Sequence, residues 1–250
     1  YETILNESYK RAFSITNVDE LGMSITDNES LNYKTSKRTE EWLKSNPFGY
    51  AQWFFDRAQV DSLKMFSLHE AVQEVPVFQK EKLPLQRIVQ ILKRHRDMMY
   101  KDRKDKKDKP ISIIITTLAS LSYNKEINIL DALENVINSM HLHIKDRNPI
   151  TGKEVRYIAN PVNPSENFAD KWEEFPEREK RFYEWLEELR KDFRNIISQA
   201  GKGLHFINES MSKPFGESLV KSSFNSYGIK KGISYSATNP KHKFYGIDEI

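Results

Sequence analysis

The chain has 250 residues, 38% hydrophobic and 12% aromatic, which is enough apolar mass for one large domain or two small ones and too much for a disordered chain. Its 39 basic and 36 acidic residues leave a formal net charge of +3, too small a basic excess for a surface that holds nucleic acid by bulk charge. Cysteine is absent, which excludes disulfides, thiolate catalysis and zinc ribbons and agrees with a reducing, cytoplasmic setting. No apolar run approaches the roughly 20 residues of a membrane helix, so no membrane partner is expected. The opening from Tyr1 lacks an initiator Met, a charged n-region and an apolar h-region, so a signal peptide is not expected and a longer parent protein is.

Residues 1–49 mix short polar and apolar stretches; an edge strand is expected near 21–26 and a turn at Asn46-Pro47-Phe48-Gly49. From Tyr50 the pattern turns helical, with Trp53, Phe54, Ala58 and residues 60–63 as candidate core, until Pro76 interrupts it. Pro84 stands at a helix N1 position, and Leu85, Ile88, Ile91, Leu92, His95 and Met99 recur at three and four. This predicts an amphipathic helix over 84–100 whose other face carries Gln86, Gln90, Lys93 and Asp97. The run 101–109 alternates sign and reads as a solvated loop between helices.

Pro110 opens the next predicted helix. Ile111, Ile113, Ile114, Ile115, Leu118, Ala119 and Leu121 cover almost its whole circumference, which places it at the centre of the core. Ser112, Thr116 and Ser120 leave it one narrow polar stripe. A helix over 127–141 follows, with Ile129, Leu130, Leu133, Val136, Ile137 and Met140 in register, and then a loop rich in Asn, Pro and Gly over 145–165. The longest helix is predicted over 177–199, within an apolar series of Trp172, Phe175, Phe182, Trp185, Leu186, Leu189, Phe193, Ile196 and Ile197. Gly201 and Gly203 end it, and a last helix over 215–227 precedes a tail rich in Gly, Ser and Lys. There is no internal repeat.

Catalytic patterns are few. Gly152-Lys153 is followed by Glu154, and Arg147 stands where a phosphate loop needs its first glycine; Gly201-Lys202-Gly203 reads as a helix C-cap. His141 and His143 are two residues apart and would face different sides of a helix, so no metal pair is expected, and no catalytic or metal-ligating residue is assigned. Lys93 and Ser112 admit two readings. A lysine point charge and a hydroxyl donor can clamp a phosphate in a partly desolvated cleft. Equally, Lys93 can be solvated, and Ser112 and Thr116 can bond back to carbonyls four residues earlier.

The order of motifs resembles a known family. The stretch Leu85 to Leu92, Lys93-Arg94-His95-Arg96-Asp97, a charged loop, and Lys109-Pro110-Ile111-Ser112-Ile113-Ile114-Ile115 is similar to the helical half of the bacterial cGAS/DncV-like nucleotidyltransferases, or CD-NTases. Ser45 to Phe54 resembles the lead into that half, Asn160 to Trp172 a motif shared with oligoadenylate synthetases, and His242-Lys243-Phe244-Tyr245-Gly246 the closing motif. The resemblance implies a mainly α chain: the helical C-terminal lobe, over 50–250, of a polymerase-beta-like fold, with 1–49 a remnant or linker from a largely absent α/β catalytic lobe.

It also implies joining of nucleoside triphosphates into a cyclic or linear oligonucleotide second messenger for antiphage defence, with Mg2+ as cofactor and defence-system regulatory or effector proteins as possible partners. Lys93 and Ser112 match positions that contact the donor triphosphate in the animal cyclic GMP-AMP synthase. One departure is large. No Gly-Ser and no Asp-x-Asp occurs in the 250 residues, and Asp102, Asp105 and Asp108 are three apart in a basic loop. This chain alone is therefore expected to be inactive, its Mg2+ ligands lying outside it. The other reading is a catalytically inactive helical module that binds a nucleotide or a protein. Nucleic acid is a weaker partner, through the 101–109 loop with Arg94 and Arg96, and would show as affinity that falls steeply with salt.

Overall fold

Polar side chains set where the first helix begins. The computed structural model describes residues 23–25, 34–35, 37–38, 43–59 and 82–230. The candidate core at 60–63, Pro76 and the closing motif at 242–246 lie outside the described residues. Asn46 Oδ1 accepts from the Gly49 backbone N–H at 2.8 Å, and Pro47 occupies N1, so α1 (Pro47–Ala58) starts three residues ahead of its predicted start at Tyr50. An Asx cap followed by an N1 proline begins a helix, not a turn. A Cβ at Gly49 would come within 2.5 Å of the Asn46 side chain, so the cap itself demands glycine there. Ahead of it, β1 (Met23–Ile25) pairs antiparallel with β2 (Leu43–Ser45), Met23 opposite Ser45, where the edge strand is expected.

Helix α2 (Pro84–Met99) is the hub. It packs against α1 and against α3 (Ser112–Ser122), α4 (Ile129–Ser139), α6 (Pro176–Ser198) and α7 (Leu204–Phe215). Leu85, Ile88 and Leu92 from α2 merge with Ile114, Ile115 and Leu118 from α3, Val136 and Ile137 from α4, and Phe182, Trp185 and Leu186 from α6 into one core cluster. The circumferential apolar pattern of α3 is explained by this central position. The helix begins at Ser112, two residues beyond Pro110, with Ile111 as a half-exposed N-cap. Leu130, Phe175 and Ile197, read as core positions, are exposed; the Arg178 guanidinium lies 4.5 Å over the Phe175 ring instead.

Cations close several helix ends. Arg57 near the end of α1 donates to the carbonyls of Ser120 at 2.7 Å and Tyr123 at 2.8 Å, at the C-terminus of α3. In return Lys125 Nζ donates to the Gln59 carbonyl at 2.8 Å, at the C-terminus of α1. Both contacts supply donors to carbonyls the helices leave unpaired and place positive charge at the negative end of a helix dipole.

Residues 145–165 form short strands and not the predicted loop. β3 (Lys145–Arg147) pairs with β4 (Glu154–Tyr157), and β5 (Ala159–Asn160) with β6 (Asn163–Asn167), both antiparallel. These strands are two to five residues long and expose polar faces, too short and too polar for a period of two to stand out. Their asparagines act as turn formers: Asn160 Oδ1 accepts from Val162 N at 3.0 Å, and Asn167 Oδ1 from Ile158 N at 2.9 Å and Ala169 N at 3.0 Å. Buried Val162 packs against Trp53 and buried Trp172 of α5 (Lys171–Glu174) enters the main core, so the Asn160 to Trp172 motif fastens this hairpin to the bundle.

The last predicted helix, over 215–227, is present, and a helix the sequence pattern did not show precedes it. After Gly203, whose φ is +122°, comes α7, and after Gly216, whose φ is +89°, comes α8 (Glu217–Lys230). Arg94 Nε caps α7 by donating to the Phe215 carbonyl at 2.8 Å, directly over Gly216. The charged loop is folded as well. Asp105 and Glu184 are bound by Arg103 at 2.8 and 2.9 Å, and Arg181 reaches Asp105 at 2.9 Å. The guanidinium of Arg103 holds the Asp105 carboxyl down to about 2. Burial pushes the Tyr100 phenol up to about 12, and its hydroxyl donates to the Arg181 carbonyl at 3.1 Å.

Where α2, α6 and α7 meet, His95 is 1% exposed. Trp185 Nε1–H donates to His95 Nδ1 at 3.1 Å, which fixes the proton on Nε2, and that proton is given to Asp192 at 3.1 Å. Protonation would set a second N–H against the Trp185 donor. Burial depresses the basicity of His95, outweighing Asp192, and burial likewise lowers His141 and His143. The unfolded chain thus binds more protons than the folded one below about pH 6.5. Folding stability is expected to rise with pH from the depressed folded values up to about 6.5 and then level off; denaturant midpoints from about pH 5 to 7.5 check this, and a flat profile contradicts it.

Candidate phosphate-binding site

The end of α2 and the start of α3 converge on one cluster. The 84–100 periodicity places Lys93 on the polar face of α2, yet there it is half-buried. Burial lowers the basicity of its ammonium, the Arg96 guanidinium one turn on lowers it further, and Asp97 opposes both. Among the described residues Lys93 has no hydrogen-bond or ion-pair partner, so its three N–H donors face solvent or a ligand.

Arg96 is 5% exposed and joins the parts. Its Nη1 donates to the Pro110 carbonyl at 2.9 Å and to Ser112 Oγ at 3.0 Å. Its Nε and Nη2 donate to Asp97 Oδ1 at 3.0 and 2.9 Å, and Lys109 Nζ donates to the same oxygen at 3.1 Å. Hydrogen bonds from Lys109 and Arg96, together with their charges, hold the Asp97 carboxyl below its usual range against the burial that raises it. Arg96 and Lys109 thus hold one carboxylate at the α2–α3 junction, with Lys93 one turn before it on α2. The balance is positive, which suits an anion.

Both predicted residues therefore border the same cluster. The two readings of the polar stripe divide between its members: Thr116 donates back to the Ser112 carbonyl at 2.8 Å and Ser120 to the Thr116 carbonyl at 2.7 Å, whereas the exposed Ser112 hydroxyl faces Arg96. The residue missed as part of the site is Arg96. Its signal was its spacing, because it extends the buried series Leu85, Ile88, Val89 and Leu92 by one turn, where a charge must find partners. The nucleic-acid reading needs Arg94 and Arg96 free, but Arg94 caps α7 and Arg96 is buried, so both are withdrawn from that reading. Among the described residues no three acidic or histidine side chains come together to hold a metal ion. The Mg2+ implied by the resemblance therefore does not fit these residues, and nothing in the site is routed through it.

No protein-family profile matches the chain. A c-di-GMP synthase of Roseivirga ehrenbergii is 36% identical over 183 residues, which are 72% of this chain and 46% of that protein. The chain is a relative of the bacterial CD-NTases. The CD-NTase CdnG of Bradyrhizobium diazoefficiens, solved in complex with GTP, superposes with a TM-score of 0.53 at 18% identity, over 75% of this chain and 56% of that one. That likeness carries the CD-NTase fold and no more. The chain spans about half the length of the CD-NTase relative it matches in sequence. Among the described residues no helix is long and apolar enough to cross a membrane.

Proposed function

We propose that the chain supplies the helical lobe of a CD-NTase, over 50–250, that joins nucleoside triphosphates into a cyclic or linear oligonucleotide second messenger. Lys93 and Ser112 bind the donor triphosphate in this reading. The observation that carries it is the junction of α2 and α3, where an unpartnered half-buried lysine and an exposed serine hydroxyl flank a buried arginine. The sequence relative, a c-di-GMP synthase, supports the reaction class, and GTP is the first nucleotide to try. The acidic residues that bind Mg2+ belong to sequence outside these 250 residues, since Gly-Ser and Asp-x-Asp are missing from all of them. The messenger serves antiphage defence, with regulatory or effector proteins of that system as partners, in the cytoplasm.

Incubation with Mg2+ and four labelled nucleoside triphosphates tests the reading. The 250-residue chain alone is expected to bind nucleotide without turnover. Expressed from its full native reading frame, the protein is expected to make a phosphatase-resistant oligonucleotide. Magnesium-dependent synthesis by the 250-residue chain contradicts the placement of the catalytic acids. Binding without product from the full frame favours the second reading, an inactive nucleotide- or protein-binding module, which the missing acidic motifs support.

A further inference from the structure

The buried guanidinium at the α2–α3 junction does more than brace two helices. Arg96 is 5% exposed and carries donors only, so in its 3.0 Å contact with Ser112 the serine oxygen must accept. A serine hydroxyl left to rotate can turn a lone pair or its hydrogen toward a ligand. With one lone pair occupied by a cationic N–H, the Ser112 hydrogen is directed away from Arg96, and Ser112 is an exposed residue. The contact also polarises the O–H bond, because a hydroxyl that accepts from a cation donates more strongly. Arg96 cannot swing out to meet a ligand itself: its Nε and Nη2 are held on Asp97 and its Nη1 on the Pro110 carbonyl, and Asp97 is in turn held by Lys109. Four of its five N–H donors are held by protein.

We propose that Arg96 is a positioning residue for the phosphate site: its Nη1–H fixes Ser112 as a dedicated donor to a phosphate oxygen, beside the Lys93 ammonium. This rests on the nucleotide-binding reading above. It adds a selectivity consequence, since a hydroxyl locked as donor favours an acceptor-only group such as a phosphate over a ligand hydroxyl or amine. It also gives the 101–109 loop a role, because Lys109 at its end steadies the carboxylate that steadies Arg96.

The test is a double-mutant cycle on the chain, titrated with GTP and separately with inorganic tripolyphosphate. Ser112→Ala is expected to weaken both about tenfold, the scale of one hydrogen bond to a charged group. Arg96→Lys keeps the charge and loses the fork, and is expected to cost about as much. The double variant is expected to bind no worse than either single one, while Lys93→Ala adds its own loss to each. Ser112→Thr, which retains the hydroxyl, is expected to bind within about twofold of the native chain.

A second measurement does not depend on an Arg96 variant folding. The guanidinium nitrogen resonances of Arg96 are expected to shift when GTP is added to the native chain, and not to shift in Ser112→Ala at saturating GTP. Independent, additive losses from Arg96→Lys and Ser112→Ala, or an unmoved Arg96 signal in the native chain, overturn the positioning role and leave the Lys93 site standing. Binding that is absent, or indifferent to Lys93→Ala, overturns the nucleotide-binding reading and the positioning role with it.

Discussion

Trp185→Ala is expected to lower the folding free energy by about 3–5 kcal/mol, the cost of emptying a large aromatic site in a packed core. Trp185 is fully buried on α6, with its ring 5.8 Å from that of Phe182, and it lies in the cluster shared by α2, α3, α4 and α6. For a domain of this size the melting temperature should fall by roughly 6–20 °C. Trp185→Phe separates the two roles of the residue. It restores much of the volume but removes the N–H that donates to His95 Nδ1 at 3.1 Å. That leaves a buried acceptor unpaired, at a cost of about 1–3 kcal/mol. It also removes the donor that opposes a proton on Nδ1, so the basicity of His95 should rise. Calorimetry and imidazole NMR titration check both parts, and an alanine variant melting within about 3 °C of the native chain contradicts the first.

Arg57→Ala is expected to be the most costly change at the periphery of the bundle, at about 2–3 kcal/mol. The guanidinium forks across the last turn of α3, serving the Ser120 and Tyr123 carbonyls at 2.7 and 2.8 Å with one nitrogen and Ser120 again at 2.9 Å with another. Removing it strands acceptors at the end of the most buried helix and takes a cation from the negative end of its dipole. Arg57→Lys should recover only part of the loss, because one ammonium cannot reproduce the planar fork. Denaturant unfolding of both variants reads the difference. Equal stability of the lysine and native proteins contradicts the capping role.

Helix positions were legible in the sequence where apolar spacing was strong. The stripe of α2 and the all-round pattern of α3 gave the two central helices to within two residues, since burial on one face or on every face leaves different periods. The start of α8 was legible to within two residues, but α7 was missed, because Gly203 stands just before it and Pro214 sits inside its last turn, so its stretch reads as a break between helices. The strands of 145–165 were hidden by their polarity, as Arg147 and Glu154 face each other across β3 and β4 as an ion pair and not as an apolar contact.

The candidate site was half legible. Lys93 and Ser112 follow from spacing and family likeness, and the structure places them on the two helices that meet at Arg96. Arg96 escaped because charge on a residue suggests exposure, and only tertiary packing shows that its partners come from 14 and 16 residues away as well as from its neighbour Asp97. The sign pattern of 101–109 rightly marked a largely exposed loop between helices but not its ion pairs. Asp105 pairs with Arg103 and Arg181, and Asp108 lies 3.9 Å from Arg178, an arrangement that depends on where α6 lies.

Calorimetric titration of the chain with GTP, beside Lys93→Ala, reads whether the α2–α3 junction holds a nucleoside triphosphate as proposed. Saturable binding at moderate salt is expected, weakened about tenfold or more by the substitution while the melting temperature stays within a few degrees of the native chain. GTP binding of equal strength in the two proteins, or none in either, contradicts it.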